Sequence, residues 1–247
     1  MLQPDAPPAA APTGAAVELR AVTFYYEDMV MSFDLAVMAG EFMAIIGPSG
    51  AGKTTLFALI AGFERPDNGR IMIAGTDVTE LVPSARPVTT LFQEHNLFAH
   101  LDLAANVGLG IDPRLRLGAE DRRRVSAALG RVGLGGFEKR LPGQISGGER
   151  QRAALARSLV RNRPVLLLDE PFAALGPALR RDMLDLVRDI RRERGLTVLM
   201  VSHLSEDASH AADRTAFVHR GRVIKLAPTA ELFAARGIPE LDAYLGT

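Results

Sequence analysis

Eight consecutive residues, Gly47-Pro48-Ser49-Gly50-Ala51-Gly52-Lys53-Thr54, satisfy the phosphate-binding pattern G-x-x-x-x-G-K-[ST]. The glycines let the backbone take left-handed angles and approach a ligand closely. Loop N–H groups and the positive end of a following helix then converge on one spot, which suits a phosphate chain. Lys53 is placed to reach the outer phosphates, and the Thr54 hydroxyl to ligate Mg²⁺. The flanks agree: Phe42-Met43-Ala44-Ile45-Ile46 is short and apolar like a buried strand, and Thr55-Leu56-Phe57-Ala58-Leu59-Ile60-Ala61 opens a helix. Strand, glycine loop and helix together predict a nucleoside triphosphate site.

Two carboxylates, Asp169 and Glu170, end the apolar run Val165-Leu166-Leu167-Leu168. Ligands of open α/β sheets gather at the carboxyl ends of strands, so this strand is expected to run beside the P-loop strand. There Asp169 would hold Mg²⁺, and Glu170 would face the γ-phosphate and polarise the attacking water. Capping the next helix is the alternative use of such a pair. His203 follows the apolar run 196–201, where an imidazole can hydrogen-bond a γ-phosphate. Gln93 ends the run 88–92, where an amide can reach Mg²⁺ or water. Taken singly, each also fits an incidental polar residue. Ser146-Gly147-Gly148-Glu149 opens another helix. It reads either as an ordinary N-cap or as a second anion site made of hydroxyl, free N–H groups and helix dipole. One γ-phosphate does not need two helix ends from one chain, so the second site is economically explained by a nucleotide held on another copy.

These residues require a sheet whose strands end together. Residues 17–24, 32–37, 42–46, 70–73, 88–92, 165–168 and 196–201 read as strands, and 215–226 as two strands turned at Arg220-Gly221. Helices are predicted over 125–132, 149–160 and 177–194, with a C-terminal one from Thr229. In the 177–194 helix Leu179, Met183, Leu186, Val187 and Ile190 form one apolar stripe, with Pro177 near its start and Gly195 past its end. The alternation implies an α/β architecture with a largely parallel central sheet. Residues 94–145 change character and predict an inserted helical subdomain, whose Arg114, Arg116, Arg122, Arg123 and Arg124 read as a solvated helical face. Residues 1–16, rich in Pro and Ala, are expected to be a disordered tail, leaving 17–247 as one domain. With 29 basic and 29 acidic residues the net charge is zero, which gives a nucleic-acid partner no global electrostatic support. The absence of cysteine excludes disulfides and fits a reducing compartment. No apolar run is long enough to span a bilayer.

In order and spacing, the P-loop, Gln93, Ile145-Ser146-Gly147-Gly148-Glu149, Val165-Leu166-Leu167-Leu168-Asp169-Glu170 and His203 resemble the ATP-binding cassette of ABC transporters, over residues 17–228. The serine–glycine–glycine signature separates that family from other P-loop ATPases. The resemblance implies a P-loop NTPase cassette: a largely parallel central sheet, an antiparallel β-subdomain and the inserted α-helical subdomain. It implies ATP and Mg²⁺ as cofactors. It also implies a head-to-tail dimer of two copies, each ATP sandwiched between one copy's P-loop and the other's signature. ATP contacts would come from Tyr26 (stacking on adenine, with Tyr25 the substitute), residues 47–55 including Thr55, Gln93, and Ser146, Gly147, Gly148 and Glu149. Base–aromatic stacking of that kind is worth ~1–3 kcal/mol. Mg²⁺ would be held by Thr54, Gln93 and Asp169, and turnover carried by Glu170, His203 and Lys53. Two positions depart from the pattern: Glu149 stands where Gln is commonest, and Gly176 where an aspartate usually makes a contact across the dimer.

The stretch from Arg86 to Leu101, with Gly108-Leu109-Gly110 and Val201-Ser202-His203, is similar to the ATP-binding subunits of bacterial thiamine importers. The sequence also ends at Thr247 without the C-terminal regulatory β-domain usual in related spermidine, iron and sulfate importers. This implies an ATPase energising thiamine import at the cytoplasmic face of the inner membrane. Its partners would be integral-membrane permease subunits and, indirectly, a periplasmic substrate-binding protein, with no nucleic acid. Leu97, Phe98 and Leu101 are candidates for the permease contact or for subdomain core. The alternatives are the same cassette serving another importer, or a non-transport ABC ATPase acting on DNA or ribosomes. Neutral charge, one cassette and no long coiled coil argue against the latter.

Overall fold

The computed structural model describes residues 14–26, 29–92 and 97–246; Gln93 and residues 1–13 of the tail expected over 1–16 lie outside them, while Ala15 and Ala16, expected in that tail, open the first strand, with Ala16 buried. The chain opens with β1 (Ala15–Tyr26) and β2 (Met29–Met38), then β3 (Phe42–Ile46), which feeds α1 (Lys53–Ala61). β4 (Asn68–Ile73), β5 (Thr76–Asp77) and β6 (Val88–Leu91) follow, then α2 (Leu103–Gly108), α3 (Ala119–Arg131) and α4 (Gly147–Val160). The remainder alternates: β7 (Val165–Asp169), α5 (Pro177–Arg194), β8 (Thr197–Val201), α6 (Ser205–Ala211), β9 (Arg214–His219), β10 (Arg222–Pro228), α7 (Thr229–Ala234) and α8 (Pro239–Leu245).

All ten strands join one sheet in the order β5-β4-β1-β2-β10-β9-β3-β8-β7-β6. From β9 to β6 every pairing is parallel, while β5, β4, β1 and β2 pair antiparallel. A single parallel bridge, Arg222 to Ser32, joins the antiparallel part to the rest. The two parts show their different environments. β2 alternates buried and exposed residues, as a sheet with one wet face should, whereas β3 and β8 are buried at every position because helices cover both faces. Along β3, Met43 and Ile45 pack into the core containing Leu56 and Leu59 of α1, and Ala44 and Ile46 into a core with Phe217, Leu232 and Leu241.

One expected adjacency is corrected. The Asp169 strand β7 does not lie beside β3, because β8 runs between them. Three uniformly apolar runs carry no sequence signal that ranks them within a parallel sheet. Their register still brings the right ends together, since Asp169 pairs with Val201 and Ile45 pairs with Val201 from the other side.

In α5 Met183, Val187 and Ile190 are buried as expected, but Leu184 joins them while Leu179 and Leu186 are half-buried. α2 and α3 fall within the segment read as helical and share a core with α4, which lies beyond residue 145. The arginine-rich face is divided. Arg114 and Arg116 precede α3 and gather round Asp112. Arg122 and Arg123 are exposed, and Arg124 donates to the Val160 carbonyl at the end of α4 (2.9 Å).

Candidate functional site

Where β3 ends, the chain must turn against the neighbouring strand β9. Gly47 has φ +149°, and a Cβ there would lie 2.0 Å from the Val218 carbonyl oxygen. Gly52, the N-cap of α1, has φ +99° with Met31 Sδ 3.1 Å from the position of a Cβ. Side chains are therefore excluded at both ends of the loop. Lys53 is buried, and its Nζ donates to the Gly47 and Pro48 carbonyls at 2.8 Å each. Burial lowers its pKa, opposed by the charges of Glu170 and Asp169.

An open cleft of about 1090 Å³ lies over this loop, lined by residues 49–55, Tyr26, Met29, Met31, Glu170, His203 and Arg220. Thr54 is exposed in it. Of the two tyrosines ending β1, Tyr26 faces the cleft, while Tyr25 gives its backbone N–H to the Asp67 carboxylate (2.9 Å). Successive strand residues point to opposite faces, so only one of the pair can do so.

The carboxyl ends of β7 and β8 bring the other predicted residues in. Glu170 adopts φ +45°, a left-handed angle that costs a non-glycine residue about 1–3 kcal/mol and recurs at functional sites. Its N–H donates to the Val201 carbonyl (3.1 Å), and its Oε2 lies 3.2 Å from His203 Nδ1. Asp169 is half-buried beneath them. Burial and the charge of Glu170 push its carboxyl pKa up, with Lys53 pulling it down. Behind His203, the Ser202 hydroxyl donates to Asp207 Oδ2 (2.8 Å) and accepts the Leu204 N–H (3.1 Å).

The signature is built elsewhere. Ser146 N-caps α4 in a capping box: its hydroxyl accepts the Glu149 N–H at 3.3 Å, and the Glu149 carboxylate accepts the Ser146 N–H at 2.7 Å. Among the described residues, none of Ser146, Gly147, Gly148 or Glu149 lines the cleft over the P-loop. Gly148 has an intrachain reason to be glycine, because a Cβ would lie 2.6 Å from Leu179 Cδ2. Gln151 on the same helix is buried and donates to the Pro171 carbonyl (2.9 Å), linking α4 to the segment after Glu170. Gly176 N-caps α5 with open space about its Cα, so an aspartate would fit there sterically.

Sequence reasoning missed four contributors. Met29, Met31 and Arg220 line the cleft, but on paper the two methionines lie before the strand predicted over 32–37 and Arg220 is a turn residue. Only the Gly221 N–H bond to the Ala51 carbonyl (2.9 Å) docks that turn on the P-loop. Tyr244, from α8, donates to the His203 carbonyl (3.0 Å). No local signal in a C-terminal helix points to such a contact.

A second concavity of about 410 Å³ lies near α4, with Phe63, Phe92 and Phe98 in its wall. All three are exposed, and the Phe63 and Phe92 rings are 5.8 Å apart. The loop carrying Phe98 is clamped by the fully buried Asn106, which accepts the Phe98 N–H and donates to the Phe98, Leu101 and Asp102 carbonyls. Leu97 is half-buried on the helical core.

Comparison with known proteins agrees with this geometry. The family model described as ABC transporter matches residues 30–173. The thiamine import ATP-binding protein ThiQ of Brucella suis biovar 1 (strain 1330) is 54% identical over 232 residues, 94% of this chain and 96% of that protein. The protein of the same name from Salmonella typhimurium is 53% identical over 225 residues, 91% and 95% of the two chains. Among solved structures, the dimeric ATP-binding cassette MJ0796 in a post-hydrolysis state with ADP and Pi is 29% identical, with TM-score 0.75 over 90% of this chain and 100% of that one. CbiO1 of Clostridium perfringens, part of the transporter complex cbiONQ, is 26% identical, with TM-score 0.82 over 94% and 96%. A P-loop, an acidic strand end and a histidine meeting in one cleft, with a serine–glycine–glycine helix start outside it, thus accompany near full-length similarity: the chain belongs to the ABC transporter family.

Proposed function

We propose that this chain is the ATP-hydrolysing subunit of a thiamine importer. The observation that carries the ATPase reading is the single wall formed by Lys53, Thr54, Glu170 and His203. The triphosphate lies along residues 47–55, with Lys53 exchanging its loop carbonyls for phosphate oxygens and Tyr26 beneath the adenine. Glu170 accepts a proton from the attacking water, and His203, held at 3.2 Å from it, bonds the γ-phosphate. The donor set suits Mg²⁺. The half-buried Asp169 carboxylate and the exposed Thr54 hydroxyl are hard oxygen donors, the kind Mg²⁺ takes. Bound there with Gln93 completing the set, the ion would neutralise charge building on the phosphates.

The signature serves a second copy. Its absence from the cleft wall and the dimeric relative with ADP and Pi both support a sandwich in which Ser146, Gly147, Gly148 and Glu149 close over the partner's nucleotide. The aromatic concavity supports a permease contact, with Phe98 held out by Asn106. No helix among the described residues is long and apolar enough to cross a membrane. Attachment to the cytoplasmic face of the inner membrane therefore runs through the permease, and a periplasmic binding protein delivers solute on the far side. Thiamine is assigned from the relatives 53–54% identical over more than nine-tenths of the chain.

The test is Glu170→Gln. Removing the base should cost about 10²–10⁴-fold in turnover while ATP binding persists, and the dimer should become stable enough to isolate with ATP. Unchanged turnover refutes the role of Glu170. In vesicles carrying the permease and binding protein, ATPase stimulated by another solute but not by thiamine refutes the substrate.

A further inference from the structure

The His203 imidazole is half-exposed and lies 3.2 Å from Glu170 on the cleft side. The backbone that carries it is held far more firmly. Ser202 N–H donates to the Ile45 carbonyl of β3 (3.2 Å), Ser202 Oγ is locked to Asp207, and the His203 carbonyl accepts the Tyr244 hydroxyl at 3.0 Å. Tyr244 thus links α8 to the loop that presents His203. Its ring is seated 5.5 Å from Phe217 of β9, the strand beside β3, so the phenol is anchored to the sheet and does not merely trail from the chain's end. Around it Leu241 is fully buried, with Leu245 packed on the same core.

We propose that Tyr244 is a positioning residue for hydrolysis: its hydroxyl ties the His203 backbone to a ring seated on Phe217 of β9 and so sets the distance from His203 to Glu170 and the γ-phosphate. The reasoning is geometric. A side chain can be no better placed than the carbonyl-bearing backbone it grows from, and a misplacement of about 1 Å at a reacting centre can cost up to 10²-fold. The phenol touches neither cleft nor nucleotide, because it does not line the cleft wall. Its loss should therefore act on kcat and leave nucleotide binding alone.

The role rests on the ATPase reading above, and the experiment separates the two. In the full-length chain, Tyr244→Phe keeps the ring on Phe217 and deletes only the hydroxyl. The expected result is a kcat for Mg·ATP reduced about five- to tenfold, with KM for ATP within about twofold and a urea midpoint lowered by no more than the loss of one hydrogen bond explains. Hydrogen–deuterium exchange, measured without turnover, should show faster exchange of the Leu204 amide, which leans on Ser202. Leu245→Ala loosens the same helix without touching the hydroxyl and should leave kcat unchanged. Wild-type kcat in Tyr244→Phe, or an equal loss in Leu245→Ala, overturns the positioning role. A wild-type chain that fails to hydrolyse Mg·ATP overturns the ATPase reading, while faster Leu204 exchange in Tyr244→Phe would still support the strut itself.

Discussion

Gly47→Ala should damage this protein more than any other single methyl group added to the P-loop. Two costs combine. At φ +149° an L-residue sits in a region almost reserved for glycine, at about 1–3 kcal/mol. The new Cβ would also stand 2.0 Å from the Val218 carbonyl oxygen and 3.1 Å from its carbon. These are backbone atoms of β9, paired with β3 up to Ile46–Phe217, so they cannot swing aside as a side-chain end could. Overpacking of this kind costs a further 1–3 kcal/mol or so. The total is about 2–6 kcal/mol, a large share of the roughly 5–15 kcal/mol that keeps a domain folded. Gly50→Ala is the control. It also has a left-handed φ, +74°, but no atom stands within 4 Å of the added carbon, so only backbone strain of about 1–2 kcal/mol applies. Urea unfolding of both variants gives the stabilities, and titration with a fluorescent ATP analogue gives the binding. Gly47→Ala should lose at least about 2 kcal/mol and, by displacing the loop, bind at least tenfold more weakly. Equal stability losses in the two variants would refute the assignment of the damage to Val218.

Arg86→Met tests the other end of α1. The guanidinium is 1% exposed and donates to the Leu59, Ile60, Thr79 and Leu81 carbonyls at 2.6–3.0 Å. Two of these lie in the last turn of α1, where carbonyls have no helical partner. At about 1 kcal/mol net per lost bond the variant should be about 3–4 kcal/mol less stable in urea, and a loss below about 1 kcal/mol would mean the carbonyls find other donors. Asp207→Asn tests pH linkage. Burial raises the Asp207 carboxyl pKa above its ordinary value, against the opposing pull of Ser202 and Arg180. The folded state therefore holds the proton more tightly than the unfolded one, and stability falls as pH rises from about 4 through the raised value. Asp169 is shifted the same way, so the asparagine variant should flatten part of that fall and not all of it. Urea midpoints from about pH 4 to pH 8 that decline identically in both proteins would refute it.

The end of the sheet that carries the P-loop was legible where a pattern needs contiguous residues. A phosphate cradle is eight neighbours long, and its steric rules act on those neighbours, so the P-loop could be read directly. Asp169 and Glu170 were readable because an apolar strand rarely ends in paired acids without a use for them. What was not legible depended on order and reach. β8 between β3 and β7 could not be inferred, because hydrophobic pattern reports burial and not neighbours. The choice between Tyr25 and Tyr26 depended on strand register, which one residue reverses. Arg86 looked like part of a loop, and its role appears only once α1 ends against it, with Gly62 leaving room: a Cβ on Gly62 would lie 2.4 Å from Arg86 Nε. Arg220 and Tyr244 enter the site through folds of the chain that no local pattern encodes.

The glycines of the signature separate what the chain needs for itself from what it needs for a partner. Gly148 packs within the chain, because Leu179 Cδ2 of α5 would stand 2.6 Å from an added Cβ and would have to shift. Ser146 and Glu149 are also accounted for internally, by the capping box they form. Gly147 is different. Its φ is not left-handed, and the nearest atom to an added Cβ is Arg150 Nη2, the mobile end of a side chain 3.7 Å away. Among the described residues no atom stands close enough to forbid a larger residue there. A glycine that relieves no contact among the described residues fits a demand from outside the chain. In the sandwich proposed above, that demand is close approach of the α4 N-terminus to a phosphate held by the other copy. The serine–glycine–glycine run therefore divides into one glycine for packing and one for the partner.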